Sequence, residues 1–173
     1  MDFELAEAEL LLGRTPAVLR ALLSGLPERW LRGNEGPETW SPLEVLAHLI
    51  EGEKTNWMPR VRVIYEQGEA GQFAPFDRFA HLRASEGRSV DDLLDEFAAL
   101  RAQSLEEVGA LQLTPADLGR TGQHPEFGRV TLGQLLATWT AHDQAHLVQL
   151  SRTLARQYRE AVGPWQAYLS VMR

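Results

Sequence analysis

Two histidines four residues apart, His142 and His146, are the side chains of this sequence best suited to chemistry. Because four residues make just over one helical turn, both imidazoles would leave the same face of a helix. Two nitrogen ligands at this spacing reach one transition-metal ion without bending the backbone, and zinc accepts imidazole nitrogen. The competing interpretation is two surface or core histidines that fall at this spacing by chance. A metal site therefore requires a third ligand.

The third ligand must be a histidine or a carboxylate, because the sequence contains no cysteine. Three more histidines are candidates: His48, His81 and His124. We expect His81 and His124 at the surface or in local hydrogen bonds, since both fall in segments without helical periodicity. His48 lies at the edge of the apolar face of a predicted helix, a position that suits a metal ligand and a solvated residue alike. The pattern alone therefore favours His48 only slightly.

Two glutamates near His48, Glu44 and Glu51, are the candidates for acid–base catalysis. They lie about one helical turn either side of His48, so either carboxylate would orient the imidazole or serve as a general base. A solvated helix face that carries two glutamates explains the same pattern equally well.

Two polar residues accompany the histidine pair. Asp143 points about 100° away from His142 around a helix, which places it beside the site or at the surface rather than on the metal. Gln149 returns to the histidine face a turn beyond His146, where it either lines the site or ends the buried stripe.

Helices must position these side chains, because apolar residues recur at three- and four-residue spacing along most of the chain. The long helices are predicted at residues 3–12, 17–26, 41–67, 89–111 and 131–160. Pro16 either separates the first two segments or kinks one longer helix, and Pro59 is expected to kink the third.

The connections complete the predicted architecture. Residues 68–88 are predicted to form a long irregular crossover and residues 119–128 a loop, with a short helical turn from Thr114 and a short closing helix from Gly163. No segment predicts a β-strand. Four long helices, one long crossover and a short C-terminal helix predict an all-α four-helix bundle, a fold whose core holds metal sites built by facing side chains.

The composition is that of an ordinary globular protein. With 173 residues, we expect one domain spanning residues 1–173. A net charge of −7 argues against a nucleic-acid binder, which needs a basic surface. No apolar run approaches about 18 residues, and the acidic start is unlike a signal peptide. We therefore expect no membrane contact and a cytoplasmic location.

Two segments resemble the metal-binding segments of the DinB/YfiT-like superfamily. The first is the run WSPLEVLAHL at residues 40–49, followed by Glu53 and Trp57. The second is the run HPEFGRVTLGQLL at residues 124–136, followed by His142, Asp143, His146, Leu147 and Gln149. The resemblance extends over residues 10–154 and includes the helix order, the loop motif and three histidines.

The resemblance implies a DinB-like four-helix bundle in which one histidine of the second helix and two of the last long helix bind a divalent metal ion. In this sequence those residues are His48, His142 and His146. Nickel, zinc and iron(II) all suit imidazole ligands. Three imidazoles leave coordination positions open, which is typical of a reactive rather than a structural site.

Two classes of function follow from this resemblance. The superfamily includes thiol transferases and metal-dependent hydrolases, which implies an enzyme that acts on a small electrophilic molecule with water or a low-molecular-weight thiol as co-substrate. The alternative is a non-catalytic, stress-related protein that binds a metal or a small molecule. The resemblance also implies a homodimer, because the related proteins often pair through helices.

Overall fold

The computed structural model describes residues 3–77, 79–84 and 86–172, most of which are helical. The α-helices are, in chain order, α1 (Leu5–Leu23), α2 (Glu28–Arg32), α3 (Pro42–Thr55), α4 (Trp57–Arg62), α5 (Ala80–Ala84), α6 (Val90–Ala110), α7 (Pro115–Leu118), α8 (Leu132–Arg156) and α9 (Arg159–Val162). A π-helical turn (Val63–Gln67) follows α4, and 3-10 turns occupy Gly68–Ala70, Gly163–Tyr168 and Ser170–Met172. Two strands, β1 (Thr121–His124) and β2 (Gly128–Thr131), lie between α7 and α8.

The four long helices α1, α3, α6 and α8 form the predicted bundle. Helix α1 packs against both α6 and α8, and α3 packs against the same two helices. Helices α1 and α3, which follow one another closely along the chain, therefore stand at opposite corners. The prediction of an all-α four-helix bundle with a long crossover between the second and third long helices is confirmed.

Apolar side chains fill the bundle in two clusters. One cluster includes Leu19 of α1, Leu46 of α3 and Phe97 of α6. The other includes Leu12 of α1 and Trp139 of α8. The long helices supply these side chains from one face, as their amphipathic spacing predicts. In the described ranges, no helix is both long and apolar enough to cross a membrane.

Capping boxes start the two helices that carry the candidate ligands. At α3 the Ser41 hydroxyl accepts a hydrogen bond from the Glu44 backbone N–H, and the Glu44 carboxylate accepts one from the Ser41 N–H. Thr131 and Gln134 make the same reciprocal pair at α8. Because each box satisfies N–H groups that a helix start leaves free, it determines where the helix begins.

The two helical prolines have different effects. Helix α1 continues through Pro16 without a break. The helix predicted over residues 41–67 instead ends at Thr55 and restarts at Trp57, so it is broken before Pro59 rather than kinked at it. A proline ring clashes with the carbonyl four residues earlier unless the proline lies in the first turn of a helix. The restart places Pro59 in the first turn of α4, where its missing N–H costs no hydrogen bond.

A β-hairpin replaces the loop predicted at residues 119–128. Strands β1 and β2 pair in antiparallel fashion, with Gly122 opposite Val130. A Cβ atom at Gly122 would lie 2.8 Å from Ile64, so glycine allows the hairpin to rest on the π-helical turn. The prediction of a loop without strands was therefore wrong. Strands of four residues are too short to show the alternating pattern that identifies strands in a sequence.

One carboxylate holds the loop between α2 and α3 to α8. Glu35 accepts hydrogen bonds from Arg152 at 2.7 Å, Arg156 at 2.8 Å and the Thr153 hydroxyl at 3.1 Å. Its side chain is only 5% exposed. Burial by itself would raise the pKa of Glu35, but the hydrogen bonds from Arg152 and Thr153, together with the charges of Arg152 and Arg156, outweigh burial and lower this pKa.

We predict that Glu35 stabilises the fold at neutral pH and ceases to do so in acid. Because its pKa is lower in the folded protein than the ordinary value of 4.5, the unfolded chain takes up the proton first as the pH falls. The stabilisation should be complete above that ordinary value and be lost below it. Chemical denaturation should show Glu35→Gln to be less stable than the wild type at neutral pH, with a difference that shrinks in acid.

The control for this prediction is Glu28→Gln, which removes a carboxylate from an exposed pair with Arg32. Its unfolding free energy should stay close to that of the wild type. A difference between Glu35→Gln and the wild type that does not change with pH would contradict the prediction.

Candidate metal centre

Three histidines from two helices converge on one point of the bundle. His48 lies on α3, and His142 and His146 lie one turn apart on α8. Nε2 of His142 is 3.2 Å from Nε2 of His48 and 3.1 Å from Nε2 of His146, and ligand atoms of all three lie within 4.8 Å of one another. Two nitrogens that each lie about 2.1 Å from a tetrahedral ion are about 3.4 Å apart, so these separations suit ligands of a single ion.

The other ring nitrogens determine where the lone pairs point. Nδ1 of His146 lies 2.8 Å from the side-chain oxygen of Gln149. Because an amide oxygen can only accept, Nδ1 carries the hydrogen and Nε2 of His146 directs its lone pair toward the cluster. Nδ1 of His142 is buried and has no hydrogen-bond partner among the described residues.

Burial keeps His142 and His146 uncharged at neutral pH. Burial, aided by the neighbouring His146, lowers the pKa of His142 to about 4 against the opposing charge of Asp143. Burial also lowers the pKa of His146, although its hydrogen bond with Gln149 acts in the other direction. A neutral imidazole has a free lone pair, so both side chains can bind a cation at neutral pH without first losing a proton.

A buried polar layer lies beside the histidines and takes a side chain from each long helix. Arg101 of α6 donates to Asp143 of α8 at 2.6 Å and to Glu53 of α3 at 2.8 Å. The Thr15 hydroxyl of α1 donates to Asp143 at 2.7 Å, and the Trp139 indole N–H donates to Glu53 at 3.0 Å. The three charged side chains are at most 2% exposed.

Arg101 stays charged in this layer because its partners compensate for burial. Burial disfavours the charged guanidinium, but the hydrogen bonds and charges of Asp143 and Glu53 outweigh that effect and raise the pKa of Arg101. Taking an ion out of water is costly, so a buried charge requires such partners. Asp143 directly follows His142, and its ion pair with Arg101 therefore fixes the rotation of α8 that directs His142 to the cluster.

A cavity of about 580 Å³ opens onto the three histidines. Its volume is typical of binding sites for small molecules. Aromatic side chains form much of its wall: Trp40, Trp57, Phe73, Phe76 and Phe127. Polar side chains that line it, besides the three histidines, include Asn56, Arg60, His124, Glu126, Gln134 and Thr138.

Two tryptophans of the cavity wall pack against the histidine rings. The ring centre of Trp40 lies 4.7 Å from that of His48, and Trp57 meets His142 edge-on at 5.1 Å. Trp57 also stacks on Trp139 of α8 at 5.7 Å. These contacts restrict how the imidazoles can turn, so packing as well as hydrogen bonding orients the candidate ligands.

A model of the DinB superfamily matches residues 11–150 of the chain. The chain belongs to the DinB superfamily. Among solved structures, YfiT from Bacillus subtilis shares the fold, with a TM-score of 0.75 and 18% sequence identity over 88% of this chain and 86% of that chain. YfiT is described as "a probable metal-dependent hydrolase with an unusual four-helix bundle topology". No curated protein matches the chain.

In this DinB-superfamily protein His81 is fully buried, so the surface position, one of the two alternatives expected for it, was wrong. It lies on α5, which forms inside the predicted irregular crossover and packs against α3. Its ring centre is 5.1 Å from that of His48 and 4.4 Å from that of Trp40. His81 therefore supports the ligand cluster through packing, while the converging ligand atoms among the described residues belong to His48 and the two histidines of α8.

His124 confirms the expected local hydrogen bonding. Its Nδ1 accepts hydrogen bonds from the backbone N–H groups of Glu126 at 3.1 Å and Phe127 at 3.2 Å. These bonds close the turn between β1 and β2. His124 also lines the cavity, which the pattern of the sequence did not indicate.

Neither predicted catalytic glutamate is among the described residues that line the cavity. The Glu44 carboxylate accepts hydrogen bonds from both the N–H and the hydroxyl of Ser41 at 2.7 Å, so it is engaged in the cap of α3. Glu51 is half-buried on the same helix. Catalysis by Glu44 or Glu51 stays a prediction, and Glu44 would have to leave its cap to accept a proton.

Arg101 belongs to the centre, although the sequence pattern did not reveal it. It lies in the buried stripe of α6 between Phe97 and Ser104, at three- and four-residue spacing. An arginine in such a stripe indicates a buried charge and hence carboxylate partners, which are here Glu53 and Asp143. Asp143 was expected either beside the site or at the surface. It is buried, which agrees with the first of these two positions.

We predict that Arg101→Met lowers the unfolding free energy by about 3–5 kcal/mol, because it leaves two carboxylates buried without a counter-charge. Chemical denaturation measures this loss. Arg62→Met is the matched control, since Arg62 pairs with Glu107 at the surface and such pairs contribute at most about 1 kcal/mol. Equal losses in the two variants would show that the buried layer does not hold the helices together.

Proposed function

We propose that His48, His142 and His146 bind one divalent transition-metal ion, and that the protein uses this ion to act on a small electrophilic molecule. The observation that carries the proposal is the convergence of three Nε2 atoms on the wall of a cavity of about 580 Å³. Membership of the DinB superfamily supports it.

Hydrogen bonds among the three imidazoles are a poorer account of this convergence. Nε2 of His142 faces Nε2 of both His48 and His146. In a neutral imidazole Nε2 either donates one hydrogen or offers one lone pair, so hydrogen bonds to both neighbours would have to share that single hydrogen or lone pair. Each of the three nitrogens would instead offer its lone pair to one divalent ion. An all-imidazole ligand set suits zinc, nickel and iron(II).

A divalent ion held by the three imidazoles would supply a Lewis acid that lowers the pKa of a neighbouring water or thiol. The residues of the protein supply three ligands, with Gln149 orienting His146 and the Arg101 layer orienting His142. The aromatic side chains of the cavity wall offer an apolar surface to a bound reactant. Together these features favour a reaction at the histidine end of the cavity.

Hydrolysis is the reaction we propose, and transfer of a low-molecular-weight thiol is the second candidate. The description of YfiT, whose fold this chain shares, favours hydrolysis. The chain has no cysteine, so a thiol reaction would need a thiol from solution. Non-catalytic binding of a metal or a small molecule is the alternative to both reactions.

We predict that the purified protein binds about one zinc or nickel ion per chain, as measured by isothermal titration calorimetry and elemental analysis. His142→Ala and His146→Ala should each lose most of this affinity, because two imidazoles hold a divalent ion less tightly than three. His124→Asn is the matched control and should bind the metal as tightly as the wild type. An asparagine oxygen can accept the same two backbone hydrogen bonds, so this variant removes an imidazole but keeps the turn. Undiminished affinity in His142→Ala, or absence of any uptake by the wild type, would refute the metal site.

We further predict that the metal-loaded protein hydrolyses at least one member of a panel of activated esters and amides, and that His142→Ala does not. The same panel should be run with an added thiol, so that transfer of the thiol is distinguished from hydrolysis by the product. Turnover that is equal in His142→Ala would contradict catalysis by the metal. A metal-loaded protein that converts no member of either panel would favour the non-catalytic alternative.

A further inference from the structure

A charged side chain of the cavity wall, Arg60 of α4, lacks a counter-charge. Its guanidinium carbon lies 5.0 Å from the ring centre of Phe73. Among the described residues, no carboxylate oxygen comes within 4.0 Å of the Arg60 guanidinium, and its side chain makes no hydrogen bond. Burial lowers the pKa of Arg60, whereas the pKa of Arg101, which has two carboxylate partners, is raised. Arg60 therefore brings to the cavity a guanidinium that forms no ion pair with a described carboxylate.

One helical turn before Arg60, Asn56 presents a second polar group without a partner. Asn56 lines the same cavity and is only 8% exposed. Its side-chain oxygen is buried and has no hydrogen-bond partner among the described residues. Asn56 directly precedes α4, and the Arg60 backbone N–H donates to the Asn56 carbonyl at 3.2 Å, so both side chains reach the cavity from the start of this helix. Buried polar groups are normally hydrogen-bonded, and a half-turn of the amide exchanges its oxygen for its NH₂ group, so this pair indicates a ligand whose oxygens accept from both side chains.

We propose that Arg60 and Asn56 bind the carboxylate of a small, largely apolar organic acid whose reactive part faces the three histidines. The planar guanidinium matches the two oxygens of a carboxylate with two parallel hydrogen bonds. A half-turn of the Asn56 amide presents its NH₂ group to the same ligand. The inference names the substrate class of the proposed function and rests on that function for the reactive end of the ligand, but not for the carboxylate end.

The charges of the cavity favour a carboxylate over a phosphate. Its described wall contains one guanidinium, Arg60, and one carboxylate, Glu126. A single guanidinium balances the charge of one carboxylate group, whereas a phosphate dianion would leave an uncompensated negative charge near Glu126. The aromatic side chains of the wall, among them Phe73 and Phe76, suit an apolar body between the carboxylate and the histidines.

The test compares an acid with its uncharged amide on the metal-free protein, where the acid cannot bind through a metal. Phenylpropionate and phenylpropanamide differ only in the charged group, and calorimetry measures the affinity of each. The acid should bind about tenfold to 100-fold more tightly than the amide, because hydrogen bonds to a charged group are stronger than those to a neutral one. The zinc-loaded protein should show the same preference.

Three variants test whether Arg60 causes the preference for the acid over the amide. Arg60→Met should reduce the affinity for phenylpropionate to that for phenylpropanamide. Arg60→Lys should keep part of the preference, since it retains the charge but not the planar pair of donors. Arg62→Met is the control: Arg62 lies on the same helix but pairs with Glu107, so the preference should be unchanged.

Equal affinities for the acid and the amide in the wild type would overturn the inference, and this comparison does not depend on the folding of any variant. An unchanged preference in Arg60→Met would also overturn it. Tighter binding of phenyl phosphate than of phenylpropionate would overturn the assignment to a carboxylate. Loss of metal binding with an intact acid preference would refute the proposed function alone. Metal binding and turnover without an acid preference would refute this inference alone.

Discussion

Arg101 brings a positive charge into the centre of the bundle, where it meets Glu53 of α3 and Asp143 of α8. Asp143 also accepts a hydrogen bond from the Thr15 hydroxyl on α1, so this layer joins all four long helices. On α1, the apolar residues before and after Thr15 belong to different clusters, and the layer therefore separates the two halves of the core. Apolar cores tolerate repacking, but a buried charge must meet its partners, which favours one register of the four helices.

The same register builds the candidate metal centre, because layer and ligand positions are close neighbours on both helices. His142 directly precedes Asp143 on α8, and His48 lies one to two turns before Glu53 on α3. Nε2 of His142 is 3.2 Å from Nε2 of His48, whereas a slip of one helical turn would move it by about 5.4 Å. The site therefore depends on a contact that involves none of its own ligands.

The two arginines that face inward show how partners decide the role of a side chain. Arg101 has two carboxylates within hydrogen-bonding distance, and its guanidinium is used in these two ion pairs. Arg60 has an aromatic ring beside it and an open cavity in front of it. Arg60 is only half-buried and makes no ion pair with a described residue, so its guanidinium can pair with a ligand, whereas the guanidinium of Arg101 is already paired.

The spacing of residues along the chain was enough to predict the four long helices, apart from the break before Pro59, and the histidine pair, because these depend on neighbours within one or two turns. His142 and His146 share a face through their spacing alone, and the caps of α3 and α8 are short local motifs. Only the tertiary structure brought His48 to His142, 94 positions away, and buried His81, which has no helical pattern around it. It also placed Arg101 between two carboxylates and paired two strands too short to show a pattern. Burial and charge compensation depend on what packs opposite a residue, and local spacing does not contain that information.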